Sequence, residues 1–155
     1  IFMTICFVSE STIWFSILAF IGIQLQGTLY NYYYVILRNK LVGGDTTSKV
    51  FEYKTPKALP GESQTSVNVL FKIYTIVYGV FDRIIHFLDK DAYKVKSFPN
   101  WFMTLVSVYG LGFQLLIIAV MLPMGYLHFI VPFFILFTLP IIVLIGIRKY
   151  VLVNN

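Results

Sequence analysis

The sequence predicts an all-α membrane protein. We expect a helical bundle with three full transmembrane helices, a truncated N-terminal helix and an amphipathic helix lying in the cytoplasmic interface. Of its 155 residues, 58% are hydrophobic and only 12% are charged, about half the charge of a soluble domain, and the mean hydropathy is +0.79. Three apolar segments are each long enough to cross a hydrocarbon core of about 30 Å. The basic residues are confined to a few segments outside them.

The chain opens in an apolar run, residues 1–8, which is too short to cross a bilayer and lacks the basic start of a signal peptide. We expect this run to end a helix that begins upstream, so that the chain is a fragment or a processed product of a longer membrane protein. It contains Cys6, the single cysteine, which excludes an internal disulfide and is expected to be a small buried hydrophobic side chain. The first full crossing is predicted over residues 12–37, and Ser11 or Thr12 can cap it.

The last two crossings are predicted over residues 101–122 and 127–147. The turn between them contains Pro and Gly, which suits a tight helical hairpin. Pro132 and Pro140 fall inside the last crossing. Membrane helices tolerate such residues when neighbouring helices satisfy the freed carbonyl groups.

Residues 66–90 differ from the three crossings because polar residues recur at alternating steps of four and three. This spacing places them on one narrow face of a helix. They are Asn68, Lys72, Thr75, Gly79, Asp82, His86 and Asp89. The segment is either a fourth crossing or a helix lying in the interface.

Charge placement favours the interfacial helix. Residues 1–37 and 101–147 contain no Lys or Arg, whereas residues 38–57 contain five and residues 90–96 contain three. If residues 66–90 lie in the interface, all these cations, together with Arg148 and Lys149, fall on one side, as the positive-inside rule requires. Residues 38–65 are then a cytosolic loop, and the net charge of +5 indicates topology and not binding of nucleic acid.

A tyrosine-rich stretch ends the first crossing, with Tyr at positions 30, 32, 33 and 34. An aromatic belt at the membrane interface explains it. The alternative is a binding face, because Asn31, Tyr34 and Arg38 recur at i, i+3 and i+7 and continue a polar line through Gln24. An Arg there can hold a phosphate with two hydrogen bonds. The candidate substrate-binding residues are therefore Asn31, Tyr34, Arg38 and Lys40, and no residue is assigned to catalysis or to a metal.

Two further patterns have a simpler explanation beside the functional one. The Gly-rich segment at residues 43–49 can form an anion-binding nest, but a loop that ends the helix is favoured. Asp82, His86 and Asp89 share one helix face and could ligate a divalent ion. Because Arg83 and Lys90 adjoin these acids, we expect instead a solvated stripe with local ion pairs.

The order of these segments resembles the C-terminal half of a CDP-alcohol phosphatidyltransferase, a family with six membrane helices. The resemblance lies in a helix that ends with Tyr and Arg, a cytosolic segment and a closing helical hairpin. It makes "IFMTICFV" the end of the third helix and "STIWFSILAFIGIQLQGTLYNYYYVILRNK" the fourth. The fifth and sixth would be "WFMTLVSVYGLGFQLLIIAVML" and "YLHFIVPFFILFTLPIIVLIGI".

The resemblance implies a phospholipid-synthesis enzyme that moves a phosphatidyl or phospho-alcohol group from a CDP-linked donor to an alcohol. Its partners would be membrane lipid and that donor, and a homodimer is one possible assembly. The family's aspartate motif, which binds Mg or Mn, has no match in these residues. We therefore expect it upstream, and we expect this chain alone to be inactive.

Two other functional classes stay open. One is a non-enzymatic membrane subunit or scaffold whose interfacial helix docks a partner. The other is a transporter in which Gln24, Asn31 and Arg38 line a pathway, although three crossings suffice only if the chain oligomerises.

Overall fold

The computed structural model describes residues 2–8, 12–41, 55–95 and 97–152, and these residues form helices and turns with no β-strand. The Gly-rich segment at residues 43–49 lies outside the described residues. The described helices, in chain order, are α1 (Phe2–Val8), α2 (Ile13–Leu41), α3 (Gln64–Val77), α4 (Gly79–Leu88), α5 (Asn100–Ser107), α6 (Leu111–Met121), α7 (Leu127–Leu136) and α8 (Pro140–Tyr150). A short 3-10 helix, Ala92–Lys94, lies between α4 and α5.

Two helical stretches are long and apolar enough to cross a membrane. One is α2, whose 29 residues span about 43 Å at 1.5 Å per residue. The other is Leu127–Tyr150, which combines α7 and α8. Both fall where crossings were predicted, so the all-helical membrane class is confirmed to this extent.

The predicted crossing at residues 101–122 is bent. Its two halves, α5 and α6, meet at an angle of 49° and count as a third span only if the pair crosses as one unit. At the bend, the amides of Tyr109 and Gly110 bond to carbonyls three residues back, at 3.0 Å and 2.9 Å. This pattern interrupts the α-helical ladder.

The junction of α7 and α8 shows how the bundle tolerates Pro140, which has no amide to donate. The Phe137 carbonyl accepts a hydrogen bond of 3.0 Å from the Tyr109 hydroxyl. The Phe134 carbonyl accepts one of 3.2 Å from the Gln26 amide. Side chains from elsewhere in the bundle therefore satisfy two carbonyls near this proline, while the Leu136 carbonyl, which Pro140 itself leaves without a helical donor, accepts from the Leu139 amide at 3.0 Å.

A buried polar cluster extends this contact across three helices. Gln26 donates to Thr138 Oγ1 at 2.9 Å, and Gln114 donates to Gln26 Oε1 at 3.1 Å. Both glutamines are fully buried. Gly22 lies so close to Thr138 that a Cβ atom would collide with its hydroxyl. Close helix packing and interhelical hydrogen bonds of this kind hold membrane helices together.

The hydrophobic core has two parts along the central helix α2. One part packs around Tyr33, Phe102 and Ile145, near the C-terminal ends of α2 and α8. The other packs around Ala19, Ile130 and Phe134, toward the opposite end of α2. Because α2 contacts α1, α4, α5 and α7, it positions the side chains described below.

The predicted helix at residues 66–90 is divided at Tyr78 into α3 and α4. Helix α4 packs on α2 and buries Ile85, whereas α3 has no buried residue. The loop before α3 is fastened to it by Gln64, whose side chain bonds to the backbone of Pro56 and Ala58 at 3.1 Å and 2.9 Å.

Candidate functional site

A buried ion pair forms where the ends of α2, α4 and α8 meet. Arg148, in the last turn of α8, donates from Nε to Oδ2 of Asp89 at 2.6 Å, and its Nη2 contacts Oδ1. Asp89 follows directly after α4 and is its C-cap residue. Both side chains are excluded from solvent, at 1% and 0% exposure. A charge pair buried this deeply needs further hydrogen bonds to offset its desolvation.

Two tyrosines of α2 bond to Asp89, one to its carboxylate and one to its backbone carbonyl. The Tyr33 hydroxyl donates to Asp89 Oδ2 at 2.7 Å, and the Tyr32 hydroxyl donates to the Asp89 carbonyl at 2.8 Å. The Tyr32 hydroxyl also lies 3.3 Å from Nδ1 of His86. The Tyr33 ring packs edge-on against Phe102. The aspartate is thus held by α2 and α8 together.

The tyrosine-rich stretch therefore has two faces. Tyr32 and Tyr33 are buried in the bundle, while Tyr30, half-buried against the same core, stacks on the exposed Tyr34 with ring centroids 5.7 Å apart. Tyr34 is 42% exposed. Buried tyrosines that make structural contacts and an exposed tyrosine thus occur within about one turn of α2.

The four predicted substrate-binding residues lie on the outer side of α2. Asn31, Tyr34, Arg38 and Lys40 are all exposed, and none of them joins the Asp89 cluster. Their side chains are open to a ligand that approaches from outside the bundle. Their role in binding stays a prediction.

The expectation of a solvated stripe at Asp82, His86 and Asp89 is wrong for Asp89. That carboxylate is buried and pairs with Arg148 rather than with Arg83 or Lys90. The reason is that α4 packs against α2, which turns the last residue of the stripe inward. Asp82 and His86 are half-buried, and burial raises the pKa of the Asp82 carboxyl.

The positions of the acidic side chains show whether the described residues can hold the Mg or Mn ion that the resemblance implies. Within the described ranges, no three His, Cys, Asp or Glu side chains lie close enough to hold an ion. The Asp89 carboxylate, the best buried acid, is already neutralised by Arg148. The described residues therefore do not fit a Mg or Mn site.

In the sequence, Arg148 indicated only which side of the membrane the last crossing ends on, and its role in the core was not predicted. The one available signal was Asp89, an acid that follows an apolar helix and needs a cation. Lys90 and Arg83 were nearer in sequence, so spacing alone pointed to the wrong partner.

A cleft of about 450 Å³ opens beside the ion pair, between the end of α8 and the 3-10 helix. At its mouth, Lys94 Nζ lies 2.7 Å from Asp91 Oδ1, and both side chains are exposed. This contact lowers the pKa of the Asp91 carboxyl, and the charges of Lys149 and Lys90 lower it further. Three of the six residues that line the cleft, Lys94, Arg148 and Lys149, are thus cations.

The fold and this site define an all-helical class over the described residues, with two candidate membrane spans. A buried pair joins Arg148, in the last turn of the second span, to Asp89 after α4, and Tyr33 of the first span bonds to the same carboxylate. No protein-family model matches the chain, and no curated protein or solved structure matches it either.

Proposed function

We propose that this chain is the C-terminal part of a phospholipid-synthesis enzyme of the CDP-alcohol phosphatidyltransferase type, acting at the cytoplasmic membrane face. The supporting observation is the division of the tyrosine stretch of α2. Its inner face is fixed by Asp89, while its outer face leaves the side chains of Asn31, Tyr34 and Arg38 exposed at the end of a candidate span. A rigid helix that presents free donors at a membrane boundary suits the capture of a phosphate group.

In this proposal the outer face of α2 binds and orients the substrate. Arg38 holds phosphate oxygens of the CDP-linked donor through its planar guanidinium. Tyr34 and Asn31 add neutral hydrogen bonds one and two turns before Arg38, respectively, and Lys40 adds charge in the last turn of α2. These side chains are assigned to binding and orientation only, because the described residues do not fit the Mg or Mn ion that would support a bond-making step.

The proposal includes a specific topology. The bent pair α5–α6 is the third crossing, α3 and α4 lie in the interface, and the basic segments are cytoplasmic. In a Cys6→Ala background, single cysteines at Ser48 and Ser97 are expected to react with an impermeant maleimide from the same side. Labelling from opposite sides would show that α3 and α4 cross the membrane.

The test of activity uses membranes that contain the protein with any sequence its gene encodes upstream. We expect release of CMP from CDP-diacylglycerol in the presence of an alcohol and Mg or Mn. Arg38→Gln should lower this rate roughly ten- to a hundredfold, the value of a hydrogen bond to a charged group. The matched control Arg83→Gln removes an exposed cation of α4 and should leave the rate unchanged.

Two results would contradict the proposal. The first is an absence of CMP release from the longest protein that the gene encodes, with protein abundance verified. The second is an equal effect of Arg38→Gln and Arg83→Gln. Separately, the 155-residue chain alone should show no turnover, and robust turnover would disprove the expectation that it lacks the catalytic carboxylates.

The second candidate is a non-enzymatic membrane subunit, and α3 is the observation that favours it. This helix has no buried residue and exposes large apolar side chains such as Leu70 and Ile76. A partner that covers α3 should co-purify with the chain and be lost on Leu70→Glu with Ile76→Glu. The subunit hypothesis fails if the double variant still co-purifies with the same partners and the protein releases CMP.

A further inference from the structure

The cleft beside the buried ion pair has the composition of an anion-binding site. Its lining residues are Asp91, Lys94, Val95, Arg148, Lys149 and Tyr150. Asp89 engages Nε and Nη2 of the Arg148 guanidinium, so the Nη1 end lies outside that ion pair. The aspartate thereby fixes the orientation of a buried cation at the wall of the cleft.

Positive charge remains in excess after the local ion pairs are formed. Asp89 pairs with Arg148, and Asp91 pairs with Lys94. Lys149 and Lys90 stand close enough to Asp91 to influence its carboxyl. Four cations against two acids leave a net charge of +2 around the cleft. The Asp91–Lys94 contact is exposed, and exposed pairs are weak enough to exchange with a competing anion.

The position of the cleft favours a lipid over a soluble anion. Arg148, Lys149 and Tyr150 form the last turn of a candidate membrane span. Tyr150 lines the cleft and is 83% exposed. Tyr93, which is 60% exposed, lies under the Lys94 ammonium of the lining, with Nζ 5.9 Å from the ring centroid. Exposed tyrosines at the end of a span are typical of the headgroup region, where the ring stays apolar and the hydroxyl stays wet.

We propose that this cleft binds the phosphate of an anionic phospholipid headgroup. Lys94 and Lys149 contact the phosphate oxygens from the two sides of the cleft, and Arg148, oriented by Asp89, forms its inner wall. Basic pockets between membrane helices recognise anionic headgroups through the same chemistry. The site is separate from the outer face of α2, and it does not depend on the proposed enzymatic activity.

Binding can be measured on the purified full chain in detergent, at fixed physiological salt, by native mass spectrometry and by the shift in melting temperature. The probes are dioctanoyl phosphatidic acid and dioctanoyl phosphatidylcholine. We expect the acidic lipid to bind at least tenfold more tightly. Lys94→Gln with Lys149→Gln should weaken its binding about 25-fold, at roughly fivefold for each cation.

The matched control is Lys57→Gln with Lys72→Gln, two exposed lysines of the α3 region. It removes the same charge and should change affinity less than twofold. An equal loss in both double variants would show diffuse attraction to a basic protein and overturn the site. Equal affinity for the two lipids would also overturn it.

A third arm separates a lipid from a soluble phosphate ester. sn-Glycerol 3-phosphate carries the same phosphate as phosphatidic acid without acyl chains, so it should bind much more weakly than the lipid. If it binds as tightly and stabilises the chain as much, the cleft is a site for soluble phosphate esters and the lipid proposal is wrong. Because Lys94 and Lys149 are exposed, the double variant should elute from a sizing column like the parent chain.

Discussion

Arg148 and Asp89 lie 59 positions apart in the chain and form an ion pair that is closed to solvent. The pair joins the end of α8 to the turn after α4, and Tyr33 of α2 completes it with a hydrogen bond to the same carboxylate. Buried pairs contribute little net stability compared with apolar residues of the same size, yet they are costly to break. The pair therefore specifies how these three helices meet.

Asp89→Ala should destabilise the protein strongly because it leaves a guanidinium buried without a carboxylate. The expected loss is about 3–5 kcal/mol in the free energy of unfolding. The measurement is unfolding in mild detergent titrated with sodium dodecyl sulfate. Asp91→Ala is the control, since its ion pair with Lys94 is exposed and screened by solvent and should therefore contribute little to stability. Similar losses for the two variants would contradict a structural role for the buried pair.

Tyr33→Phe and Tyr34→Phe form a matched comparison, because the two tyrosines are neighbours in α2 and only Tyr33 is buried. Tyr33→Phe removes a 2.7 Å hydrogen bond to a buried carboxylate and should cost about 1.5–3 kcal/mol. Tyr34→Phe removes an exposed hydroxyl and should cost less than about 0.5 kcal/mol. The same titration reports both values. If Tyr34→Phe were the more damaging change, the assignment of inner and outer faces would be reversed.

Much of the fold could be predicted because the helices are encoded locally. Composition and apolar runs located α2 and the pair α7–α8, and the Pro-Gly turn located the hairpin before Leu127. The breaks at Tyr78 and at Val108–Gly110 have only a weak local signal in Gly79 and Gly110, because a single glycine weakens a helix without ending it. Tertiary packing decides where such helices bend.

The buried Asp89–Arg148 site was less predictable than the helices, because it depends on which helix faces pack against each other. The tyrosine stretch was singled out, but its helical spacing cannot say which tyrosines face a neighbour. That choice follows from α4 packing on α2, which brings Asp89 to Tyr33. Arg148 reaches the same point from the far end of the chain, and periodicity within one helix carries no information about such contacts.

Gln26→Leu tests the polar cluster inside the bundle. The change removes the donor to the Phe134 carbonyl and to Thr138, and it removes the acceptor of Gln114. Interhelical hydrogen bonds in membrane proteins are worth about 0.6 kcal/mol on average, with a maximum near 1.7 kcal/mol. With three bonds lost, we expect a loss of about 2 kcal/mol, measured by the same unfolding titration.

A double-mutant cycle with Gln114→Leu serves as the control for Gln26→Leu. The two changes should be less damaging together than the sum of the single losses, because they share the 3.1 Å bond between the two side chains. Full additivity would mean that this bond contributes nothing.

Asp82 and Asp91 should respond to pH in opposite directions. Burial raises the pKa of Asp82 above its ordinary value of 3.8, so the folded protein holds this proton more tightly than the unfolded chain does. Its contribution therefore favours folding at low pH and is lost as pH rises through the raised pKa. Asp82→Asn should raise the melting temperature at pH 7, and this gain should disappear below about pH 3.8.

The contribution of Asp91 to stability changes with pH in the opposite direction, because Lys94 lowers the pKa of its carboxyl below 3.8. Its contribution is present above the pKa of the unfolded chain and is lost as pH falls through the lowered pKa. Asp91→Asn should therefore lower the melting temperature slightly at pH 7 and have no effect in strong acid, and salt should weaken the effect because the pair is exposed. Melting curves of both variants and the parent from pH 3 to pH 7 provide the measurement. Changes of the same sign at pH 7 would contradict the half-buried position of Asp82, since only desolvation makes its ionised form unfavourable.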